Sequence, residues 1–543
     1  MSLGGSNDGE KGRGAPRPDS RPATDSGQGS RVCVPAALSI RRFEGHPALS
    51  PKFERMPDSS LSMKHTAHGY WLEEAGEVLP MPELVGDVSA DVLVIGGGYT
   101  GMWAAWQVKV LEPEARVVLL ESEVCGWGPS GRNGGFCNVM WFSLPNMRRL
   151  WGDAGGVAVA RASRDAIAGI ESFCREQEGD AWFRRGGYLQ VSTAPAHDGI
   201  WDDALAACHE LGEGDAVQPL APREVAERCI SPAFRAGAFY PDAATVQPAR
   251  LALGLRERLL AAGVEIHEHS PVRRLTADWS FVPPIGGKSV QHRAGGGAIA
   301  ETGGGTVRAG AAIVAIGGAA KAPHAPLRNA LTVTSSHIVL TEPVPDLLEE
   351  VGWTGGECIT DSRTLIDYFR TTPDGRIAFG WGGGRIAMGA RLRRRAELDR
   401  DVVAGAAARL REYFPGLVGR RLTHAWGGPV DASPTHLPFV VPLSGGRVFA
   451  AAGYTGNGVG PSYMVGRTLA SLALDRRDEA SRLPFVDPTP RHVPPEPFHW
   501  LGGETIRRAL VSKENAELSG RRPDPFSVLV TKIPRLIGFH IGR

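Results

Sequence analysis

Three glycines, Gly96, Gly98 and Gly101, stand in the spacing G-x-G-x-x-G where the apolar run DVLVI at 91–95 gives way to the helix-like YTGMWAAW at 99–106. The first glycine permits a tight turn, the second lets a pyrophosphate approach the backbone, and the third lets helix and strand pack closely. The helix start that follows, with Tyr99 and Thr100, offers N–H groups and a partial positive charge to phosphate. Glu121 closes the next apolar run, VVLLE at 117–121, 20 residues after Gly101, where a carboxylate accepts from a ribose hydroxyl. A glycine turn alone is a weak signal. Turn and acid together specify an adenine dinucleotide.

Two further glycine clusters decide which dinucleotide. CGWGPSGRNGG at 125–135 interleaves Ser130, Arg132 and Asn133 with Gly134 and Gly135, a loop suited to following an extended cofactor. GYTGNGVGPS at 453–462 passes from strand to helix as the first turn does, and its Gly453, Asn457 and Gly458 offer a third set of backbone donors. Such donors suit a flavin pyrimidine, where negative charge develops on reduction. AAIVAIGG at 311–318 is a buried strand that runs into glycines at Gly317. An NAD site needs no second glycine loop, so FAD is the expected cofactor. An NAD-dependent dehydrogenase and a non-catalytic flavin-fold binding protein remain the alternatives.

With these motifs in order along 90–480, the sequence resembles the FAD-dependent D-amino-acid oxidase (DAO) superfamily of glycine/D-amino-acid oxidase (deaminating) type. Its nearest likeness is to γ-glutamylputrescine oxidoreductase-like members. The resemblance rests on VIGGGYTG at 94–101, SGRNGG at 130–135, DSRTLIDYFR at 361–370, TPDGRIAFGWGGG at 372–384, AWGGPVDASPTHLPFV at 425–440 and GYTGNGV at 453–459. It implies a substrate domain whose mixed sheet roofs the flavin, and hydride transfer from the carbon beside an amine to flavin N5. The imine formed then hydrolyses. It implies the ADP half on Gly96, Gly98, Tyr99, Thr100, Gly101 and Glu121. The ribityl chain and flavin would lie along Ser130, Arg132, Asn133, Gly134 and Gly135, the pyrimidine edge near Gly453, Asn457 and Gly458, and adenine against the backbone of Val272. Some members tether FAD through a cysteine before the last glycine motif. AWGGPVDASPTHLPFV holds none, so non-covalent FAD is expected, with Cys358 a buried thiol.

Hydride leaves only a neutral amine readily, because a nitrogen lone pair must stabilise the developing iminium, so the site has to favour deprotonation. Tyr368 and Arg370 alternate with Phe369 in a strand-like segment and so share a face. Arg370 would either pair with a substrate carboxylate or bridge strands. Arg132 would either place charge by the flavin or shape its loop. His436, in SPTHLPF, is a candidate proton acceptor or a structural histidine, as is His337. Trp381 is a pocket wall or a core residue. His267 and His269 alternate on one strand without a third ligand, so no metal is expected. The substrate is expected to be a small amine or amino acid and the oxidant O2, giving hydrogen peroxide, with a quinone or electron-transfer protein as the alternative.

Positioning these residues requires an α/β fold: a Rossmann-like FAD-binding domain with an inserted substrate domain containing a mixed antiparallel sheet. The FAD-binding domain is expected from 88–150, 240–320 and 421–480, and the substrate domain from 151–239 and 325–420. Residues 1–65, rich in Gly, Ser, Pro and charge, read as a disordered leader, with Met56 and Met63 as candidate starts. Within 245–266 a helix is expected with Leu251, Leu255 and Leu259 on one stripe, and 286–297 reads as a mobile hairpin tip. The tail, 481–543, is Pro-rich, then helical, and is expected to pack on the body. The net charge of +1 over 543 residues gives no field for nucleic acid. Seven cysteines without a CxxC pair fit reduced thiols and a cytoplasmic location, and no run approaches a membrane span.

Overall fold

The computed structural model describes residues 63–541 apart from 66–67, 177–179, 279–296, 322–326, 328, 391–396, 444–446 and 488. All but the end of the expected leader, and nearly all of the insert at 286–297, lie outside the described residues. The strand Gly86–Ile95 is buried from Ala90 onward and runs parallel to Val117–Leu120 on one side and Gly305–Val314 on the other. Burial on both faces explains why its sequence is a continuous apolar run instead of an alternation. Glu265–His267 continues this sheet in parallel beyond Val117–Leu120, and Val448–Ala452 lies parallel to Gly305–Val314. The register pairs Ile95 with both Leu120 and Val314, and Val314 with Ala450. Four strands therefore end together, at the edge where open parallel sheets bind ligands.

The helix Tyr99–Leu111 leaves that edge and is apolar on nearly every side because it is enclosed. Met102 and Trp103 are fully buried in one core with Val465 and Leu469 of the helix Val459–Ala473. The helix expected within 245–266 spans Pro248–Ala261, with proline in its first turn and the Gln247 side chain accepting from the Arg250 N–H. Leu251, Leu255 and Leu259 form its fully buried stripe.

A second, nine-stranded mixed sheet draws strands from both expected substrate segments. Its order is Lys64–His65, Leu422–Ala432, Thr332–Thr341, Ile377–Trp381, Asp367–Thr371, Cys358–Asp361, Tyr188–Val191, Gly237–Tyr240 and Gln218–Leu220. Its far face rests on an aromatic core of Trp353, Phe369, Phe379, Tyr413 and Phe414, with Trp353 stacked on Phe414 at 5.7 Å. Leu422–Ala432, expected in the FAD-binding segment 421–480, pairs instead with Thr332–Thr341 along ten positions. The change of sheet therefore falls after Ala432, not at 421.

The tail folds into two helices, Phe498–Leu518 and Pro525–Leu536. Among the described residues no helix is long and apolar enough to cross a membrane.

Candidate functional site

The first glycine turn is built for close approach. Gly96 has φ +107°, and a Cβ there would strike the carbonyl of Ala315 from the neighbouring strand. A Cβ on Gly101 would overlap the carbonyl oxygen of Gly96, so helix and turn touch backbone to backbone. The helix begins at Gly98 without a side-chain cap, which leaves its positive end to the crevice. Glu121 accepts the Gly97 N–H at 2.6 Å through one oxygen, and the Ser122 hydroxyl and Glu123 N–H at 2.9 Å through the other. Its carboxylate thus shapes the turn as well as standing at the strand end. Glu121→Ala removes charge-assisted hydrogen bonds worth ~1.5–3 kcal/mol and should weaken FAD roughly 10- to 150-fold, read by titrating the apoprotein with FAD. Unchanged affinity would place the ribose elsewhere.

All three glycine clusters meet at one cavity of about 820 Å³. The Tyr99 N–H donates to the Ser130 hydroxyl at 2.9 Å, joining the first turn to the second loop. The Thr100 hydroxyl and the Tyr454 phenol lie 2.7 Å apart, joining it to the third. Gly96, Gly98, Tyr99, Thr100, Glu121, Ser130, Arg132, Asn133, Gly134, Gly317, Asn457 and Gly458 line the cavity, and Tyr368 and His436 line it too. These residues fit a dinucleotide: a turn closed to a Cβ at Gly96 and Gly101, a helix start on the cavity wall and an acid at the second strand's end.

Five expected site residues are not on the wall. Gly101 and Gly453 lie behind it; the Gly453 N–H donates to Asp431 at 2.7 Å and its φ is +86°. Gly135 has φ +73° and its carbonyl faces Val246, whose N–H donates to it at 2.9 Å. Val272 packs against the core under the first sheet, and the cavity does not reach it. Arg370 is a correction. It is buried, lies off the cavity wall, and gives its guanidinium N–H groups to the carbonyls of Val246, Gly135 and Thr371. Desolvation brings it down to about 10, so it remains charged at neutral pH, as a clamp on the back of the second loop instead of a partner for a substrate carboxylate.

The tryptophans that complete this clamp were not singled out in the sequence. Trp71 and Trp426, both fully buried, donate through Nε1 to the carbonyls of Asn133 and Arg132 at 2.8 Å each, their rings edge to face at 5.8 Å. Asp431, inside a quoted motif but not chosen, also lines the cavity, and burial raises its carboxyl to about 6 against the pull of the Gly453 N–H.

Tyr368 presents its ring to Gly134, and its phenol lies 2.7 Å from the Ser336 hydroxyl. Burial pushes it up to about 12, so it is neutral at physiological pH. His436 sits at φ +57° with its ring 5.7 Å from that of His540. His337 is buried in its strand, where Nε2 accepts the Asp399 N–H at 2.9 Å, and Trp381 donates to the Leu365 carbonyl at 3.0 Å; neither lines the cavity.

The loop 362–366, which carries Thr364, Leu365 and Ile366 on the wall, is fixed by buried charges. Arg363 bridges Asp361 and Asp367, and Arg409 holds Asp367 at 3.0 Å. From the tail, Glu514 accepts the N–H groups of Thr364 and Leu365 at 2.7 and 3.3 Å. Burial raises Glu514 to about 7, with Asp361 pushing the same way and Arg363 opposing. The folded form therefore binds more protons than the unfolded one between pH ~4.5 and ~7. Stability falls as pH rises through that window, by about 3 kcal/mol. Glu514→Gln should lose this slope, gaining on the wild type between pH ~5 and ~8 in urea melts. Parallel pH profiles would show the group ionised throughout.

Comparison with known proteins agrees with this geometry. The family model described as DAO, FAD dependent oxidoreductase, matches residues 91–472. The probable oxidoreductase OrdL of Rhizobium meliloti (strain 1021) is 27% identical over 463 residues, covering 82% of this chain and 95% of the relative. The γ-glutamylputrescine oxidoreductase of Escherichia coli (strain K12) is 26% identical over 454 residues, with the same coverage. Among solved structures, glycine oxidase from Geobacillus kaustophilus superposes with a TM-score of 0.59 at 20% identity, over 75% of this chain and all of that one. L-proline dehydrogenase from P. horikoshii does so with a TM-score of 0.57 at 16% identity, over 75% and 98%; these two likenesses speak for the fold. Because the family match runs unbroken from the first glycine turn through the roofing strands to the helix after the third, this chain belongs to the DAO family of FAD-dependent oxidoreductases.

Proposed function

We propose that the protein oxidises the C–N bond of an amine or amino acid, with FAD held non-covalently by the three glycine clusters and O2 as the terminal oxidant. The observation that carries the reading is a single cavity that runs from the dinucleotide turn, past Arg132 and Gly134, to Tyr368 and Ser336 under the nine-stranded sheet. FAD, when bound, supplies the acceptor for the hydride and its electron pair. The chain supplies the surroundings. Arg132, drawn below its ordinary value by burial, disfavours an ammonium on the wall and so favours the neutral, oxidisable amine. The neutral Tyr368 phenol, beside the Ser336 hydroxyl, offers a hydrogen bond without a charge. Loss of hydride leaves an imine, which water hydrolyses to a carbonyl and an amine or ammonia. No cysteine lines the cavity among the described residues, which supports non-covalent attachment. The six described cysteines are free thiols, which supports the cytoplasm as the location.

Anaerobic titration of the purified holoprotein with polyamines, γ-glutamyl amines, glycine derivatives and D-amino acids tests the reading. At least one class should bleach the flavin, and admitting air should restore it with release of peroxide. Bleaching that air does not reverse would point to a quinone or protein acceptor. Flavin that only dithionite reduces would overturn amine oxidation.

A further inference from the structure

The family match ends at residue 472, yet the cavity's outer wall comes from beyond it. The helix Phe498–Leu518 is pinned to the roof by buried polar groups. Glu504 accepts the Ile386 N–H at 2.9 Å and pairs with Arg507 at 3.1 Å, and Arg507 donates to the Gly383 carbonyl at 3.2 Å. His499 meets the Thr332 hydroxyl at 2.8 Å, and Glu514 holds the 364–365 backbone. So anchored, the tail lines the cavity with Ile506 and Leu510, beside Leu365, Ile366 and Ile386, and with Phe539 after the second helix.

Among the described residues the tail's part of the wall presents one permanently charged side chain, Arg507, and that is already paired with Glu504. The carboxylates that line the cavity, among the described residues, are Glu121 and Glu123 by the first glycine turn and Asp431, which sits on the roof strand Leu422–Ala432 and accepts the Gly453 N–H. Glu504 and Glu514 point into the anchor and do not line it; Arg507 does. A second ammonium on the substrate would lose its hydration here and meet no lining carboxylate in return.

We infer that the C-terminal segment Phe498–Ile541 is a specificity wall, and that the group extending from the substrate's reacting carbon is apolar, not a second amine. This rests on the proposed amine oxidation and goes beyond it, because it names the substrate class. A terminal methyl should be preferred over an isosteric ammonium by ~10-fold or more.

The full-length holoenzyme is titrated anaerobically with two isosteric pairs, hexylamine with cadaverine and norleucine with ornithine, each amino acid as both enantiomers. Rates of flavin reduction are read where reduction occurs, and dissociation constants from the perturbed flavin spectrum where it does not. The expected result is that hexylamine or norleucine exceeds its charged isostere by ~10-fold or more. Ile506→Glu, checked for unchanged flavin content and melting, should narrow or invert that ratio by placing an anion on the wall. Equal or better reduction by cadaverine or ornithine, or an Ile506→Glu ratio that does not move, overturns the inference and leaves amine oxidation standing. Tighter binding of the apolar member without reduction sustains the wall and counts against amine oxidation. No perturbation by any of the compounds overturns the inference.

Discussion

Gly101→Ala is expected to give a folded protein that purifies almost free of FAD. The added methyl lands on the carbonyl oxygen of Gly96, and one partner has to yield. The helix cannot withdraw, because Met102, Trp103, Ala104 and Ala105 are fully buried beneath it. The turn moves instead, and it carries the Gly97 N–H out of reach of Glu121 and the helix start out of line with the phosphates. Overpacking of this kind costs about 1–3 kcal/mol by itself, and lost phosphate contacts add to it. The affinity for FAD should fall more than ~100-fold, read by flavin absorbance after purification and by titration of the apoprotein. Gly405→Ala is the matched control, since Gly405 lies off the cavity and a Cβ there meets nothing nearer than Arg409 at 3.6 Å; it should retain flavin. Full flavin content in Gly101→Ala would mean that the phosphates are held elsewhere.

That glycine turn was legible because its requirements are local. A strand, a φ that only glycine adopts readily and a helix start follow one another within about fifteen residues, and the sequence states each directly. The stripe at Leu251, Leu255 and Leu259 was legible for the same reason. What failed depended on partners far away in the chain. The segment from 421 was expected in the cofactor domain, yet ladder bonds to Thr332–Thr341 draw Leu422–Ala432 into a long roof strand, and nothing local announces that pairing. The helical segment Leu144–Glu176 escaped notice because its glycines blur the period and Gly152, at φ +71°, breaks it into two helices. The tail's basic, apolar character was read as packing on the body. That it packs over the cavity is set by Glu504 and Glu514, two ordinary-looking acids on a helix.

Arg370→Met should destabilise the protein strongly and spare substrate discrimination, and this contrast separates the two roles the sequence allowed. Alternation correctly put Arg370 on the same side of its strand as Tyr368. Two residues along the strand, however, the cavity has ended, and the guanidinium meets the backbone where the second glycine loop crosses the residues before the helix Pro248–Ala261. Methionine matches much of the volume but donates nothing, leaving the Val246 and Thr371 carbonyls buried without that donor and Trp71 without the cation 5.7 Å from its ring centroid. Losing these charge-assisted hydrogen bonds costs about 1.5–3 kcal/mol; only backbone carbonyls are left behind, with no buried counter-charge to strand. The loop it clamps carries Arg132, Asn133 and Gly134 on the cofactor wall, so flavin should also dissociate more readily on mild heating. A ligand for the substrate carboxylate would behave in the opposite way, with unchanged melting and flavin retention and a KM raised for amino acids but not for simple amines. Melting curves of the holoprotein, set beside KM values for one amino acid and one amine, distinguish the two outcomes, and the buried bonds to Val246 and Thr371 predict the first.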